Sequence, residues 1–152
     1  MDTSRKQQIE SLTLENVLLF TSQDIGVDVV DFLNQIPSVS LKVITQRTKR
    51  DAIYGYRNIF EHCKKIGVPV KCSSVIDDNI LSYVRKFDPK LIINAYYPII
   101  FPKSLIEIPK LGCINIHPGK LPEERGTFPT PWRILRGFKT FWMTLHFLDS
   151  KI

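Results

Sequence analysis

Short apolar runs of strand length alternate along this chain with segments whose apolar residues recur at the spacing of a helix. This alternation is typical of βαβ units, in which helices cover both faces of a mainly parallel sheet. The sequence therefore predicts an α/β fold. Strands are predicted at residues 16–21, 41–45, 68–72, 91–96, 113–116 and 141–148, and helices at residues 25–33, 54–65, 78–87, 103–106 and 132–136.

A loop rich in proline and glycine follows the strand predicted at residues 113–116 and extends over residues 118–131. The run before it, residues 91–96, is apolar apart from Asn94 and Tyr96, as expected for a central strand buried on both faces. Ligands of open α/β sheets bind beyond the carboxyl ends of the strands, where the strand order reverses. We therefore expect a functional site at the start of this loop.

Asn115 and His117 lie two residues apart at the end of the predicted strand, so they point to the same face. A neutral imidazole can take a proton from an amine, and an amide can donate a hydrogen bond to an oxygen that gains negative charge. The pair therefore suits acyl transfer to nitrogen. The alternative is that both side chains simply bond to nearby backbone, which is common at strand ends.

Composition limits the class of protein. A chain of 152 residues with 43% hydrophobic and 24% charged residues has the size of one domain and can bury a core without disulfides or metal. The longest apolar stretch, residues 91–101, is much shorter than the roughly 20 residues that span a bilayer. Residues 1–15 are too polar for a secretory signal, and the three cysteines are expected to be reduced thiols, so a cytoplasmic location is expected.

The net charge of +6 favours an anionic partner such as a phosphate or a carboxylate. Lys120 and Arg125, beside the loop, are candidate ligands for a phosphate, or they are ordinary solvated charges. Ser22 and Gln23 are candidate ligands for an anionic substrate at a helix N-terminus, although helix capping also explains them. The basic residues are scattered, so nucleic acid binding is not expected. The turn after the first strand lacks the G-x-G-x-x-G pattern, which disfavours a nicotinamide cofactor.

Several motifs in the second half of the chain resemble one family. The stretch INIHPG at residues 114–119, followed by Leu121-Pro122, Arg125-Gly126 and Pro129, is similar to the signature of formyltransferases that use 10-formyltetrahydrofolate. Residues 97–103 and 108–113 resemble the segment that lines the folate pocket of methionyl-tRNA and sugar N-formyltransferases. The resemblance covers about residues 91–152 and implies a Rossmann-like formyltransferase fold.

The resemblance also implies roles for particular residues. Asn115 would hold the oxyanion and His117 would manage the amine proton, with 10-formyltetrahydrofolate as cosubstrate and no metal. Tyr97, Ile99, Ile100 and Phe101 would line the folate pocket.

The family's third catalytic residue is an aspartate seven positions after a histidine that corresponds to His146. It would fall at position 153, so residues 1–152 are expected to be a catalytic domain truncated at its C-terminus, with an incomplete active site. Asp149 is expected to be an ordinary surface carboxylate. Residues 1–15 are expected to form a flexible or helical extension, and an open sheet edge favours a homodimer.

The residue sequence of the loop from Arg125 to Pro129 and the lack of a second domain favour the sugar N-formyltransferases within this family. The expected reaction is formyl transfer to the primary amine of a nucleotide-linked amino sugar, as in lipopolysaccharide or O-antigen synthesis. Two alternatives remain open. The chain could be a fragment of a methionyl-tRNA formyltransferase, or a truncated remnant that binds folate or nucleotide without turnover.

Overall fold

The computed structural model describes residues 15–46, 55–126 and 129–149. Six strands form one sheet in the order β3-β2-β1-β4-β5-β6. The strands are β1 (Asn16–Thr21), β2 (Ser40–Thr45), β3 (Val70–Cys72), β4 (Leu91–Ala95), β5 (Cys113–His117) and β6 (Thr144–Phe147). The helices are α1 (Gln23–Asn34), α2 (Ile59–Lys65), α3 (Asp78–Phe87), α4 (Lys103–Ile106) and α5 (Pro129–Leu135).

The sheet is parallel except at one edge, where β6 runs antiparallel to β5. One apolar core joins α1 and α2 to one face of the sheet, and a second core joins α3 and α4 to the other face. The predicted α/β class, with a mainly parallel sheet and helices on both faces, is therefore confirmed. In the part of the chain that is described, no helix combines the length and the apolar character needed to cross a bilayer.

The helix predicted at residues 54–65 begins at Ile59. Residue 54 lies outside the described residues, and residues 55–58 are not helical. The side chain of Asn58 accepts a hydrogen bond of 3.1 Å from the amide of Glu61, which is the bond of an N-cap residue. Because of this cap, α2 begins at Ile59 and not at residue 54, where the apolar pattern placed its start.

Other predicted boundaries also differ from the structure. The strand predicted at residues 68–72 is β3 and has only three residues, and the helix predicted at residues 132–136 is α5, which starts earlier at Pro129. Proline suits the first turn of a helix because the amides there have no partner within the helix. The predicted N-terminal extension, residues 1–15, lies outside the described residues except for Glu15.

The strand predicted at residues 141–148 is shorter, because β6 begins at Thr144. Thr144 pairs with His117, the last residue of β5. The residue after His117 is Pro118, which has no amide hydrogen to donate to a strand pairing. Phe141, Trp142 and Met143 therefore precede the strand and are exposed.

Candidate active site

The site lies where the strand order reverses, between the adjacent strands β1 and β4 and on towards β5. The hydroxyl of Thr21 donates to the carbonyl of Ala95 over 2.8 Å, and the hydroxyl of Ser22 donates to the carbonyl of Tyr96. These bonds join the carboxyl ends of β1 and β4. Gln23 and Tyr96 both have positive φ angles, of 62° and 63°, so the backbone turns sharply after β1 and again after β4.

Ser22 stands at the N-cap position of α1, but its side chain makes no capping bond. Capping was the alternative explanation for this residue, and the hydroxyl instead joins the two strands. Gln23 is exposed beside it. The binding of an anionic substrate by these two residues stays a prediction.

Asn115 and His117 project from β5 on the same face of the sheet, and both are partly exposed. Asn94 of β4 is in register with Asn115, and His146 of β6 lies opposite it. The structure therefore brings together the amide and the imidazole that the sequence pairs, and it adds a second imidazole beside them.

The amide nitrogen of Asn115 lies 3.0 Å from Nε2 of His146, and Nδ1 of His146 lies 2.9 Å from the carbonyl oxygen of Phe147. A carbonyl can only accept, so Nδ1 carries the hydrogen and Nε2 offers its lone pair to the Asn115 amide. This bond orients the amide so that its nitrogen faces His146. The amide nitrogen has a second hydrogen that can serve a substrate oxygen.

Nε2 of His117 lies 2.6 Å from the carbonyl oxygen of Glu124. By the same reasoning Nε2 carries a hydrogen and donates it to the carbonyl. In a neutral ring the lone pair then lies on Nδ1, and this nitrogen can accept a proton. The arrangement contains a hydrogen-bond donor and a proton acceptor on one face of β5.

The loop after β5 is held by bonds to Glu124 and Thr144. The Glu124 carboxylate accepts a bond of 2.7 Å from the amide of Lys120, and it is paired with the guanidinium of Arg133. The Lys120 amide first, and Arg133 second, hold the pKa of Glu124 below its ordinary value. The hydroxyl of Thr144 donates to the carbonyl of Gly119 over 2.6 Å, and the Leu121–Pro122 peptide bond is cis.

The two basic candidates lie at the exposed rim of this loop. Lys120 and Arg125 are both exposed, and the ammonium of Lys120 is 3.4 Å from the carboxylate of Glu123. Their predicted contact with a phosphate stays a prediction. Asp149 follows β6 and is exposed.

The predicted folate residues divide into two groups. Tyr97 and Phe101 are 3% and 7% exposed, and both pack their rings against Phe20. The Tyr97 hydroxyl donates to the carbonyl of Ser73 over 2.9 Å, and burial raises its pKa. Ile99 is partly buried and Ile100 is 79% exposed, so these two are the accessible members of the set. Folate contact at all four stays a prediction.

The other reactive groups are buried or paired: Cys113 shares the β5 face of Asn115 and His117 but is buried in the apolar core. Burial raises the pKa of Cys63 to about 11 and that of Cys113 to about 12, so both thiols are protonated near neutral pH. Cys63, Cys72 and Cys113 form no disulfide in the structure. Nε2 of His62 lies 2.6 Å from a carboxylate oxygen of Asp31. Within residues 15–46, 55–126 and 129–149, no group of three metal-ligating side chains occurs.

A family model described as formyl transferase matches residues 5–152. The chain belongs to the formyl transferase family. The motif around Asn115 and His117 and the observed fold agree with this assignment, so the resemblance seen in the sequence is confirmed.

Two curated relatives of this formyl transferase chain align with nearly all of it. The bifunctional polymyxin resistance protein ArnA of Wigglesworthia glossinidia brevipalpis is 30% identical over 90% of the chain, which spans 21% of that relative. The methionyl-tRNA formyltransferase of Anaplasma marginale is 29% identical over 90% of the chain, which spans 46% of that relative. The chain therefore spans less than half the length of either relative.

Solved structures share the fold at low identity. Glycinamide ribonucleotide transformylase 1 from Symbiobacterium toebii superposes with a TM-score of 0.73 at 15% identity, covering 93% of this chain and 69% of that one. A 4-N formyltransferase from Francisella tularensis gives a TM-score of 0.64 at 20% identity, covering 92% and 52%. These superpositions show that the chain shares the α/β fold of the two structures.

Sequence reasoning missed several residues of the site. Asn94 is buried, and its side chain bonds the backbone of Tyr97 at both its oxygen (2.9 Å) and its nitrogen (3.3 Å), which holds the turn after β4. Its signal was a polar residue inside an apolar run. Glu124, Arg133 and Thr144 became visible only through contacts between separate elements.

Proposed function

We propose that this chain carries the catalytic centre of an N-formyltransferase that uses 10-formyltetrahydrofolate. The observation that carries the proposal is the pairing of Asn115 and His117 on one face of β5, at the carboxyl edge of the sheet. Membership of the formyl transferase family supports it.

The residues suit the bond changes of the reaction. A substrate amine attacks the formyl carbon, and a carbon–nitrogen bond forms while the formyl oxygen gains negative charge. The second hydrogen of the Asn115 amide donates to that oxygen. Nδ1 of His117 takes the proton that the amine loses and returns it to the folate nitrogen as the carbon–nitrogen bond to folate breaks.

The acceptor that we propose is the primary amine of a nucleotide-linked amino sugar. The loop motif from Arg125 to Pro129 and the net charge of +6 support it, because the nucleotide carries phosphates. Lys120 and Arg125 stand at the rim of the site, where they can meet those phosphates. The proposal includes a cytoplasmic location, a catalytic domain at residues 1–152 whose third catalytic residue is an aspartate at position 153, and a homodimer.

A second candidate is a methionyl-tRNA formyltransferase, which is the printed name of the Anaplasma marginale relative. That relative aligns with 90% of this chain, and the positive net charge also suits a tRNA. The two candidates share donor and mechanism, so the acceptor distinguishes them.

The test is a formyl-transfer assay with 10-formyltetrahydrofolate and two acceptors, a panel of nucleotide-linked amino sugars and methionyl-tRNA. It is run on this chain and on the chain continued by a family segment with aspartate at position 153. We expect turnover with an amino sugar from the continued chain. Asn115→Ala should lower kcat by about 10²- to 10³-fold, and His117→Ala by about 10²- to 10⁴-fold.

Lys86→Ala, at an exposed position on α3, is the matched control and should keep full activity. Transfer to methionyl-tRNA alone would select the second candidate. Folate binding with no transfer to either acceptor would indicate a binding remnant. The proposal is overturned if the continued chain neither binds folate nor transfers a formyl group to either acceptor.

A further inference from the structure

We propose that Arg133 is a positioning residue that acts through Glu124 to keep the hydrogen of His117 on Nε2 and its lone pair on Nδ1. The proposal concerns the ring tautomer, and only its consequence for amine deprotonation rests on the proposed function.

Arg133 is buried although it lies on a short helix at the surface, with 8% of the residue exposed. Its guanidinium donates to the Glu124 carboxylate, to the carbonyl of Thr140 over 2.9 Å and to the hydroxyl of Thr140 over 3.3 Å. The ring of Phe138 lies 4.4 Å from its central carbon. A buried charge needs such partners, and they fix the position of the group.

Glu124 links this guanidinium to the histidine. Its carboxylate accepts from the amide of Lys120, and its own amide donates to the carbonyl of Lys120, each over 2.7 Å. Its carbonyl oxygen accepts the hydrogen of Nε2 of His117 over 2.6 Å. Backbone and side chain of one residue are thus held together, so the position of the carbonyl follows from the position of the carboxylate.

The packing around this carbonyl leaves little freedom. A Cβ atom on Gly119 would lie 3.0 Å from the carbonyl oxygen and Cβ of Glu124 and 3.0 Å from Nε2 of His117. The ring is therefore closely packed against the loop on this side. The carbonyl cannot donate, so a ring that keeps this contact must keep its hydrogen on Nε2.

The charge of Arg133 alone does not explain the arrangement. The planar guanidinium bonds Glu124 at one nitrogen and Thr140 at two others, a fork that an ammonium group on a flexible stem does not reproduce. Lysine at position 133 should therefore restore only part of the effect.

The experiment reads the ring nitrogens of His117 by ¹⁵N NMR at about pH 8.5, where imidazoles are ordinarily neutral. The resonances are assigned by their loss in His117→Gln. We expect the unaltered chain to show hydrogen on Nε2. Arg133→Met should move the two nitrogens towards the average of both tautomers, and Arg133→Lys should lie between.

Arg136→Met is the matched control, because Arg136 is exposed just after the same helix and carries the same charge. It should leave the tautomer unchanged. If Arg133→Met does not fold, Glu124→Gln weakens the same link and should shift the tautomer in the same direction. Hydrogen on Nδ1 in the unaltered chain, or an unchanged tautomer in folded Arg133→Met or Glu124→Gln, would overturn the proposal.

The formyl-transfer assay separates this inference from the proposed function. If transfer occurs, Arg133→Met should lower kcat about tenfold with little change in KM, because proton transfer in the transition state is affected and binding is not. If the tautomer shifts as expected but the chain continued with aspartate at position 153 formylates no acceptor, the positioning role stands and the proposed function fails. An active Arg133→Met with unchanged kcat would show that the tautomer does not control the reaction, which overturns its consequence for catalysis.

Discussion

Glu124 uses its carboxylate, its amide and its carbonyl to order the loop after β5. The amide of Lys120 and the guanidinium of Arg133 stabilise the ionised carboxylate, which is why its pKa lies below the ordinary value. In the unfolded chain these partners are absent. Ionised Glu124 therefore stabilises the folded state relative to the unfolded one.

The first prediction follows from the sign of this shift. Glu124→Gln should be less stable than the unaltered chain at pH 7, where the carboxylate is ionised in both states. The difference should shrink as the pH falls below the ordinary value of 4.5 and vanish once it is below the lowered pKa of the folded state. Urea unfolding of both chains between pH 7 and pH 3 measures it, and a difference that grows on acidification would contradict it.

At the scale of elements, the close approach of α1 to β1 depends on Gly26. A Cβ atom there would lie 2.5 Å from Oγ1 of Thr21 and 2.6 Å from Cδ1 of Ile59. The Ile59 side chain has an end that can move. The Thr21 hydroxyl is less free, because it holds the end of β4 through its bond to Ala95.

The second prediction is that Gly26→Ala destabilises the fold. Alanine gains about 1 kcal/mol over glycine in a helix interior, but overpacking a tight site costs about 1–3 kcal/mol. We expect a net loss of up to about 2 kcal/mol, measured by urea unfolding. Ser82→Ala, at an exposed position on α3, is the control, and it should be neutral or slightly stabilising. A more stable Gly26→Ala would show that the helix shifts freely.

The elements that the sequence predicted well are those whose ends are marked locally. β1 ends where the apolar run meets Ser22, and α3 follows its N-cap residue Asp77, whose side chain accepts from the amide of Ile80 over 2.9 Å. The start of β6 could not be read in this way. The apolar residues before Thr144 continue the pattern, and the strand begins where it does because its partner reaches Pro118.

The residues of the site also divide into those that the local sequence predicts and those that only the structure reveals. The spacing of Asn115 and His117 placed them on one face, because alternation along a strand is a local property. The contacts of Arg133 with Glu124 and Thr140 join a loop, a helix and the segment that follows it. No period or motif in the sequence records a meeting of that kind, so this part of the site required the structure.

At the scale of the whole molecule, apolar side chains are exposed along one edge of the sheet. Leu145 and Phe147 of β6 are 64% and 69% exposed, and Trp142 before them is 53% exposed. β6 is also the last strand in the sheet order. An apolar edge strand tends to associate with other chains.

The third prediction is therefore that this 152-residue chain associates as its concentration rises. Size-exclusion chromatography with light scattering should show a mass that increases with loading. Leu145→Lys should reduce the association. The control is Val75→Lys, which should not reduce it, because Val75 is 54% exposed but follows β3, at the opposite edge of the sheet from β6. A monomer at every concentration would contradict this prediction and the expected homodimer.

The antiparallel pairing of β5 with β6 places Asn115 opposite His146 and His117 opposite Thr144. A slip of one residue in this pairing would turn both β6 side chains to the other face. The connection at residues 118–143 is not bound by that rule, because insertions within it leave the ladder in place. Insertions that spare the stretches from Lys120 to Glu124 and from Arg133 to Thr140, which hold His117 through the Glu124 carbonyl, would therefore leave the geometry of the amide and the imidazole unchanged.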